Sequence, residues 1–487
     1  MSDKKGRALF RCNASVDVGI GHAMRCLAFA ETLRWAGWSC TFAVNREASD
    51  VVPALLRDDV DLEIAEGAEP IDLKAARLAV IDNYRLDAGF ERGIKEQGAE
   101  VIAFDDLANR KHDCAVLLDP TPGRNGDEYA NFVPKDCQVL LGPKYAVIAD
   151  RWLSHRRATR KRLGTARPVE RMIVSMGGTD PYDATRRVLA GIAASGLKAH
   201  VDVVIGAGTP HRAELTAMTG PSLFVHVDHP DVAALAAQAD LAIGAAGTSS
   251  FERAVLGLPA ILIPLADNQR SVAAAFAAAE AAEIVPAAIL DDARAFGALI
   301  AALAENTGRR AAMAQRAATL TDGRGRLRLL AAAAGRLMAA SGRKVMLRLA
   351  EADDEGWLLD LQRQEATRRF ARHPGIPSPA EHAAWFAQVL DDSERLLMIV
   401  DADGKPCGML RLDRLAGSAA SFEISIAIDS GQHGQGLARA ALQLARNLAP
   451  GADLIATVKA ENRASLALFA TAGFQPDGHE RYRSRAA

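Results

Sequence analysis

Twice along this chain of 487 residues, short apolar runs alternate with helix-patterned stretches, and that rhythm admits few folds. The first series runs through Ala8–Cys12, Ser39–Val44, Leu78–Ile81, Val101–Phe104, Ala115–Leu118 and Gln138–Leu141, with a helix expected over His22–Ala36 and its stop at Gly37. The second runs through Arg171–Ser175, His200–Ile205, Leu223–Val227, Leu241–Ile243 and Ala260–Pro264, with alanine-rich helices over Val272–Ala282 and Ala293–Ala304. Each series predicts an α/β lobe, a mainly parallel sheet with helices on both faces. The two share an architecture but no residue-level repeat.

The rhythm breaks at Ser341-Gly342-Arg343. A strand at Val345–Leu349, helices near Trp357–Glu365 and Ala380–Leu390, and strands at Leu396–Val400, Gly408–Leu412 and Phe422–Ile428 follow, an α+β order. Three domains are therefore expected, over 1–155, 156–340 and 344–487, in keeping with about 150 residues per domain. A formal net charge of −2 gives no electrostatic case for nucleic acid or an anionic membrane. The basic stretch Arg156, Arg157, Arg160, Lys161, Arg162 and Arg167 lacks interleaved aromatics and reads as a solvated linker or helix face. None of the six cysteines forms a C-x-x-C pair, so neither a disulfide framework nor a zinc site is expected. The first residues lack the apolar core of a signal peptide, and no uninterrupted apolar run of about 18 residues occurs. A cytoplasmic setting fits these features.

Glycine-rich turns between strand and helix carry the chemistry. In Val18-Gly19-Ile20-Gly21-His22, Gly19 and Gly21 leave room for a ligand at the helix start, where backbone N–H groups favour an anion. His22 is aimed at the same space; the helix dipole favours its neutral form, which makes it a candidate general base. A capping or packing histidine fits the spacing equally well. In the second lobe, Gly247-Thr248-Ser249-Ser250-Phe251-Glu252 can offer N–H groups and hydroxyls to a diphosphate. Glu252 can accept both hydroxyls of a ribose, or simply complement the helix dipole. Asn268 and Gln269 follow a strand end, where ligands gather in such folds.

With Gly19–Cys26, these segments resemble the UDP-sugar hydrolases of pseudaminic acid biosynthesis, relatives of the GT-B glycosyltransferases. The other matching segments are Val80-Ile81-Asp82-Asn83-Tyr84, Leu141-Gly142-Pro143-Lys144-Tyr145 and Ser175-Met176-Gly177-Gly178-Thr179-Asp180. The likeness covers residues 7 to about 335, both lobes. It implies removal of UDP from a 2,4-diacetamido-2,4,6-trideoxy-hexose, with His22 handling the attacking water and no metal. Asp82 and Tyr84 then contact the sugar or the water, although a turn aspartate explains Asp82 as well. Gly178 lies in a matched segment and is assigned to substrate binding.

The third unit carries His433-Gly434-Gln435-Gly436-Leu437-Ala438 after a strand and before a helix, and Glu461-Asn462 through Phe469 to Gly473-Phe474 downstream. It resembles the GNAT acetyltransferases over about 345 to 485. The resemblance implies that the first loop holds the pyrophosphate of acetyl-CoA on backbone N–H groups, that Asn462 contacts the CoA arm, and that Glu423 acts as base toward an amine. A solvent-facing strand glutamate is the plainer reading of Glu423. His433 departs from the usual Gln or Arg, and Phe469 stands where many members have a proton-donating tyrosine. Gln364, Arg368, His373, His382 and Trp385 fall where the acceptor pocket is usually shaped, with spacing like that of nucleotide-sugar 4-amino acetyltransferases. A peptide or ribosomal-protein acetyltransferase also fits the core.

The expectation is a bifunctional enzyme acting on a UDP-sugar with acetyl-CoA as cosubstrate. Two alternatives stand beside it: a GT-B glycosyltransferase fused to a GNAT of other acceptor, and a non-catalytic UDP-sugar sensor controlling the GNAT domain.

Overall fold

The computed structural model describes residues 6–68, 71–73, 75–165, 167–417 and 420–486. Three sheets organise them. The first contains β1 (Arg7–Cys12), β2 (Ser39–Val44), β3 (Asp61–Ile64), β4 (Leu78–Asp82), β5 (Glu100–Phe104), β6 (Val116–Asp119) and β7 (Gln138–Leu141). Its spatial order is β3-β2-β1-β4-β5-β6-β7. Register pairs such as Cys12↔Asp82 and Ile81↔Ala103 run parallel. Nearly every residue of the five central strands, β2, β1, β4, β5 and β6, is buried, as expected for a sheet covered on both faces. The strand order reverses between β1 and β4, and such a reversal opens a crevice beyond the carboxyl ends of the two strands.

The second sheet repeats the device. It contains β8 (Arg171–Ser175), β9 (His200–Ile205), β10 (Leu223–Val227), β11 (Leu241–Ala245), β12 (Ala260–Ile263) and β13 (Glu283–Ile284). Its order is β10-β9-β8-β11-β12-β13, so its reversal lies between β8 and β11. The core here is Met172, Val174, Val203, Ile243, Ile261 and their neighbours, closed by Phe296 and Ile300 from the helix Ala293–Glu305. Gly191 and Gly297 let that helix approach Ala184–Ser195: a Cβ on Gly297 would lie 2.8 Å from backbone of the facing helix. The two sheets fall in one compact unit, Ala8–Glu31 with Cys40–Arg326, and form a GT-B-like pair of Rossmann-type lobes.

The other unit gathers Leu327 onward together with Thr32–Ser39 and Gly6–Arg7. Its sheet contains β14 (Arg336–Met338), β15 (Lys344–Leu349), β16 (Arg395–Ala402), β17 (Lys405–Arg414), β18 (Ser421–Ile428), β19 (Asp453–Thr457), β20 (Gln475–Pro476) and β21 (Arg481–Ser484). The order is β14-β15-β16-β17-β18-β19-β21-β20, antiparallel except for β18 against β19. Arg336–Met338, read from sequence as the tail of the second lobe, is thus an edge strand of this sheet. Within the same unit the Trp38 indole donates to Leu448 O at 2.8 Å and the Trp35 ring lies 4.8 Å from Phe422. Helices Glu355–Arg363 and Pro379–Asp391 cover one sheet face through Leu358, Leu361, Phe386 and Val389 against Leu397, Ile399 and Met409.

Candidate active sites

The reversal between β1 and β4 places two strand ends side by side. The turn after β1 leads through Gly19, which takes φ +82, into the helix Gly21–Trp35 with His22 in its first turn. β4 ends on Asp82, directly opposite Cys12 of β1. His22 Nδ1 donates to Asp82 Oδ1. That bond fixes the imidazole tautomer and leaves Nε2 as the basic nitrogen. Arg25, one turn beyond His22 on the same helix face, grips both oxygens of Asp82, Nε to Oδ2 at 2.5 Å and Nη2 to Oδ1 at 2.6 Å. Asp82 has no exposed surface. Burial opposes its charge, but Arg25 and then His22 outweigh it and hold the carboxyl well below the usual carboxylate range. Asp82, expected from sequence to contact sugar or water, is fully enclosed, and its oxygens accept from His22 and Arg25.

Tyr84 stands edge-on to His22, ring centroids 4.7 Å apart. Its hydroxyl donates to Asp106 Oδ1 at 2.6 Å, and the Arg110 guanidinium lies 5.7 Å from its ring centre. Burial, with Asp106 beside it, pushes the phenol far above its ordinary value, so Tyr84 keeps its proton. Asp106 also accepts from Arg25 Nη1 at 3.3 Å. Arg25 and Asp106 thus tie His22, Asp82 and Tyr84 into one frame. No role for either came from the sequence reading. The spacing of His22 and Arg25, three apart on one helix, was the available signal for Arg25; Asp106 had none, because only the fold brings the end of β5 beside β4.

The second lobe faces this frame with its own two strand ends. After β8, Gly178 lies where a Cβ would come within 2.2 Å of Ile20, and Thr179 Oγ1 donates to Val16 O at 3.0 Å. After β11, Gly247, Thr248 and Ser249 remain partly exposed, and Thr248 makes no side-chain capping bond. A Cβ on Gly21 would sit 3.4 Å from Thr248 Oγ1, so the two glycine turns meet across the cleft. Asn268 is exposed and interacts with the Tyr84 hydroxyl, whereas Gln269 Oε1 accepts from Leu265 N at 2.9 Å and shapes its own turn. Glu252 is half-buried beside Trp152 and Arg151; burial raises its pKa against Arg151 and Arg253. Beneath the turn, buried Arg253 donates to Ala245 O at 2.8 Å, and burial brings its pKa down to about 10. The sequence reading missed this cation, which sits under the proposed diphosphate turn.

In the other unit, β18 and β19 pair only from Ser421↔Asp453 to Glu423↔Ile455, although β18 continues to Ile428. The strands part there, and the departing edge of β18 leads into the loop before the helix Leu437–Leu448. Gly434 and Gly436 take φ +78 and +79, and a Cβ on Gly436 would meet Ala340 at 2.9 Å. Gln435 and Gly436 are partly exposed and Leu437 is buried, so the loop turns backbone outward while its last side chain anchors the helix. Such a turn suits a pyrophosphate. His433 Nε2 lies 3.0 Å from Ile428 O, and Ala438 follows in the first helical turn.

Asn462 Oδ1 accepts from Ser465 N at 3.1 Å, which makes it the cap of the helix Arg463–Thr471. Phe469 is buried against Phe474, ring centroids 4.9 Å apart, and is a core residue. Glu423 sits at the last paired position before the split and accepts from Arg372 and, at 3.1 Å, from Thr457 Oγ1. Gln364 bonds Asp429 and Ser430 N at the head of the loop. Arg368 donates to His373 O and Gly375 O. His382 is buried against Trp385 and Phe386 and lies away from solvent. Among the described residues no group of three His, Cys, Asp or Glu could hold a metal ion, and no helix is long and apolar enough to cross a membrane.

Two segments of the chain match known domain families. Residues 172–326 match the Glycosyltransferase family 28 C-terminal domain, and residues 344–475 match the Acetyltransferase (GNAT) domain. A Campylobacter jejuni protein named UDP-2,4-diacetamido-2,4,6-trideoxy-beta-L-altropyranose hydrolase is 23% identical over 270 residues, 55% of this chain and 94% of the relative. The structure of Acinetobacter baumannii MurG is similar at 17% identity and TM-score 0.47, covering 66% of this chain and 98% of that one. Mycobacterium smegmatis RimJ, solved in complex with CoA-disulfide, is similar at 23% identity and TM-score 0.28, covering 30% of this chain and 76% of its own. The chain thus joins a GT-B-like, nucleotide-sugar type of α/β pair to a GNAT acetyltransferase domain whose cosubstrate is acetyl-CoA.

Proposed function

We propose that the chain is a bifunctional nucleotide-sugar enzyme. Its α/β pair hydrolyses a UDP-2,4-diacetamido-2,4,6-trideoxy-hexose to free sugar and UDP, and its GNAT domain N-acetylates the 4-amino UDP-sugar precursor. The observation that carries the hydrolase reading is the His22–Asp82–Arg25 constellation at the strand reversal, which leaves an oriented imidazole nitrogen to take a proton from water. The name of the Campylobacter jejuni relative supplies the substrate class. Water attacks the anomeric carbon, the bond to the diphosphate oxygen breaks, and the water's proton passes to His22. Arg253 and the N–H groups of the Gly247–Ser249 turn offset the charge of the departing UDP. Glu252 takes the ribose and Asn268 the sugar side, near Tyr84.

The match to the family 28 C-terminal domain favours a second reading, transfer of the sugar to an acceptor hydroxyl. One experiment separates the two. Purified protein is given a UDP-4-amino-4,6-dideoxy-2-acetamido-hexose with and without acetyl-CoA, and CoA, UDP and sugar products are followed by mass spectrometry. CoA release followed by UDP and free diacetamido sugar supports the proposal. UDP release that waits for an added acceptor supports glycosyl transfer. Ligand binding with neither product points to a sensor.

A further inference from the structure

The acceptor side of the GNAT domain has an unusual charge arrangement. The segment Arg363-Gln364-Glu365-Ala366-Thr367-Arg368-Arg369-Phe370-Ala371-Arg372 carries four arginines against one glutamate. It is pinned across the place where β18 and β19 part. At one end Gln364 bonds Asp429 and Ser430 N. At the other, Lys459 Nζ donates to Ala371 O at 3.1 Å. Arg372 then reaches down to Glu423, yet 65% of its side chain stays exposed. Glu423 projects from the sheet position directly opposite Asp413, so two carboxylate-bearing residues face each other on neighbouring strands. Asp413 is paired with Arg411 at 2.8 Å, so Glu423 is the carboxylate that suits an ammonium; a rim of exposed guanidinium suits an anion.

Arg372 is paired with Glu423, and a guanidinium in that place stands between the carboxylate and an incoming amine. An exposed ion pair is weak and easily exchanged. A phosphate group offers a guanidinium more charge and more acceptor oxygens than a single carboxylate does. We infer that the acetyl acceptor is a primary amine carrying a phosphate or diphosphate group, and that Arg372 leaves Glu423 for that group, which frees Glu423 for the amine. Arg372 is thus a specificity-determining residue, and the anion of the correct acceptor completes the catalytic site. Chemistry then follows in balance. Glu423 takes a proton from R–NH3+, the amine nitrogen attacks the thioester carbonyl, the carbon–sulfur bond breaks, and the sulfur leaves to become the CoA thiol. The sum is R–NH3+ plus acetyl-CoA giving the acetamide, CoA thiol and one proton.

This inference rests on the sugar-amine reading of the GNAT domain, and the test keeps the two apart. The full chain and its Arg372→Gln variant receive acetyl-CoA with four acceptors: the 4-amino sugar as its UDP ester, as its 1-phosphate and as the free sugar, and phosphoethanolamine. CoA thiol is measured. The wild-type chain is expected to favour the phosphate-bearing sugars over the free sugar by about tenfold or more in kcat/KM, the discrimination a lost charge-assisted contact produces. In Arg372→Gln the ratio should fall to within about threefold, partly through a higher kcat on the free sugar. Equal use of free and phosphorylated sugars by the wild type overturns the inference and leaves the sugar reading standing. An unchanged ratio in the variant overturns it too. Turnover of phosphoethanolamine with none of the sugars does the reverse: the sugar reading falls and the anion requirement holds.

Discussion

At the scale of single residues, the proposed hydrolytic site is an imidazole whose direction is set by a carboxylate that is itself held by a guanidinium. His22→Ala removes the base. UDP release from the UDP-sugar should fall by about 10²- to 10⁴-fold, the usual worth of a general base. The Kd for UDP, measured by calorimetry, should stay nearly constant, because the second lobe supplies the diphosphate contacts in this reading. Asp82→Asn tests orientation separately. An amide in place of the carboxylate can present N–H to the imidazole and favour the wrong tautomer, so kcat should drop by up to about 10⁴-fold with KM little changed. Arg25→Met tests the third member through stability. It strands a buried carboxylate without its main counter-charge, at a cost of about 3–5 kcal/mol, read as a lower midpoint in urea.

At the scale of elements, the glycines of the GNAT loop separate backbone strain from crowding. Gly434 and Gly436 both take positive φ, but a Cβ on Gly434 meets nothing within 4 Å whereas one on Gly436 meets Ala340 at 2.9 Å. Gly434→Ala should therefore cost about 1 kcal/mol from conformation alone. Gly436→Ala should cost more, about 2–4 kcal/mol, and should raise the KM for acetyl-CoA more steeply, because relief of the clash moves the helix start. Thermal melts and CoA release on both variants check the order. The same elements show how far sequence reaches. Strand–turn–helix rhythm was legible because burial on both faces leaves unbroken apolar runs, as in Leu78–Ile81 and Leu241–Ala245, and glycine turns follow strands beside both order reversals. What sequence withheld was long-range. Arg25 reaches Asp82 across 57 positions, and Arg372 reaches Glu423 across 51. Strand order alone makes these pairs neighbours. Arg336–Met338 is too short to announce a strand, and only its ladder with Lys344–Leu349 makes it one.

At the scale of the whole molecule, one buried ionic network predicts a response to alkali. His112 is enclosed in the first lobe, where Nδ1 donates to Glu91 Oε1 at 2.7 Å and Nε2 lies 3.9 Å from Asp105 Oδ2. Burial would lower its pKa, but Asp105 and Glu91 overcome burial and raise it to about 9. A group whose folded pKa lies above its unfolded value of about 6.5 stabilises fully below that value and loses its contribution as pH climbs through the folded pKa. The contribution at neutral pH is at most about 3 kcal/mol, and it should vanish between about pH 6.5 and 9. Asp105 also receives the Tyr129 hydroxyl, Ala108 N and Arg110, and the next residue is the Asp106 that holds Tyr84. Deprotonation of His112 should therefore loosen the loop that frames the proposed hydrolytic site. Thermal melts of the full chain from pH 6 to pH 10 should show a decline through that window which His112→Gln largely flattens, starting from a lower plateau. Release of UDP should fade along the same decline, while CoA release, which draws on residues of the other unit, should not follow it. A variant whose melting profile keeps the wild-type slope would place the alkaline sensitivity elsewhere.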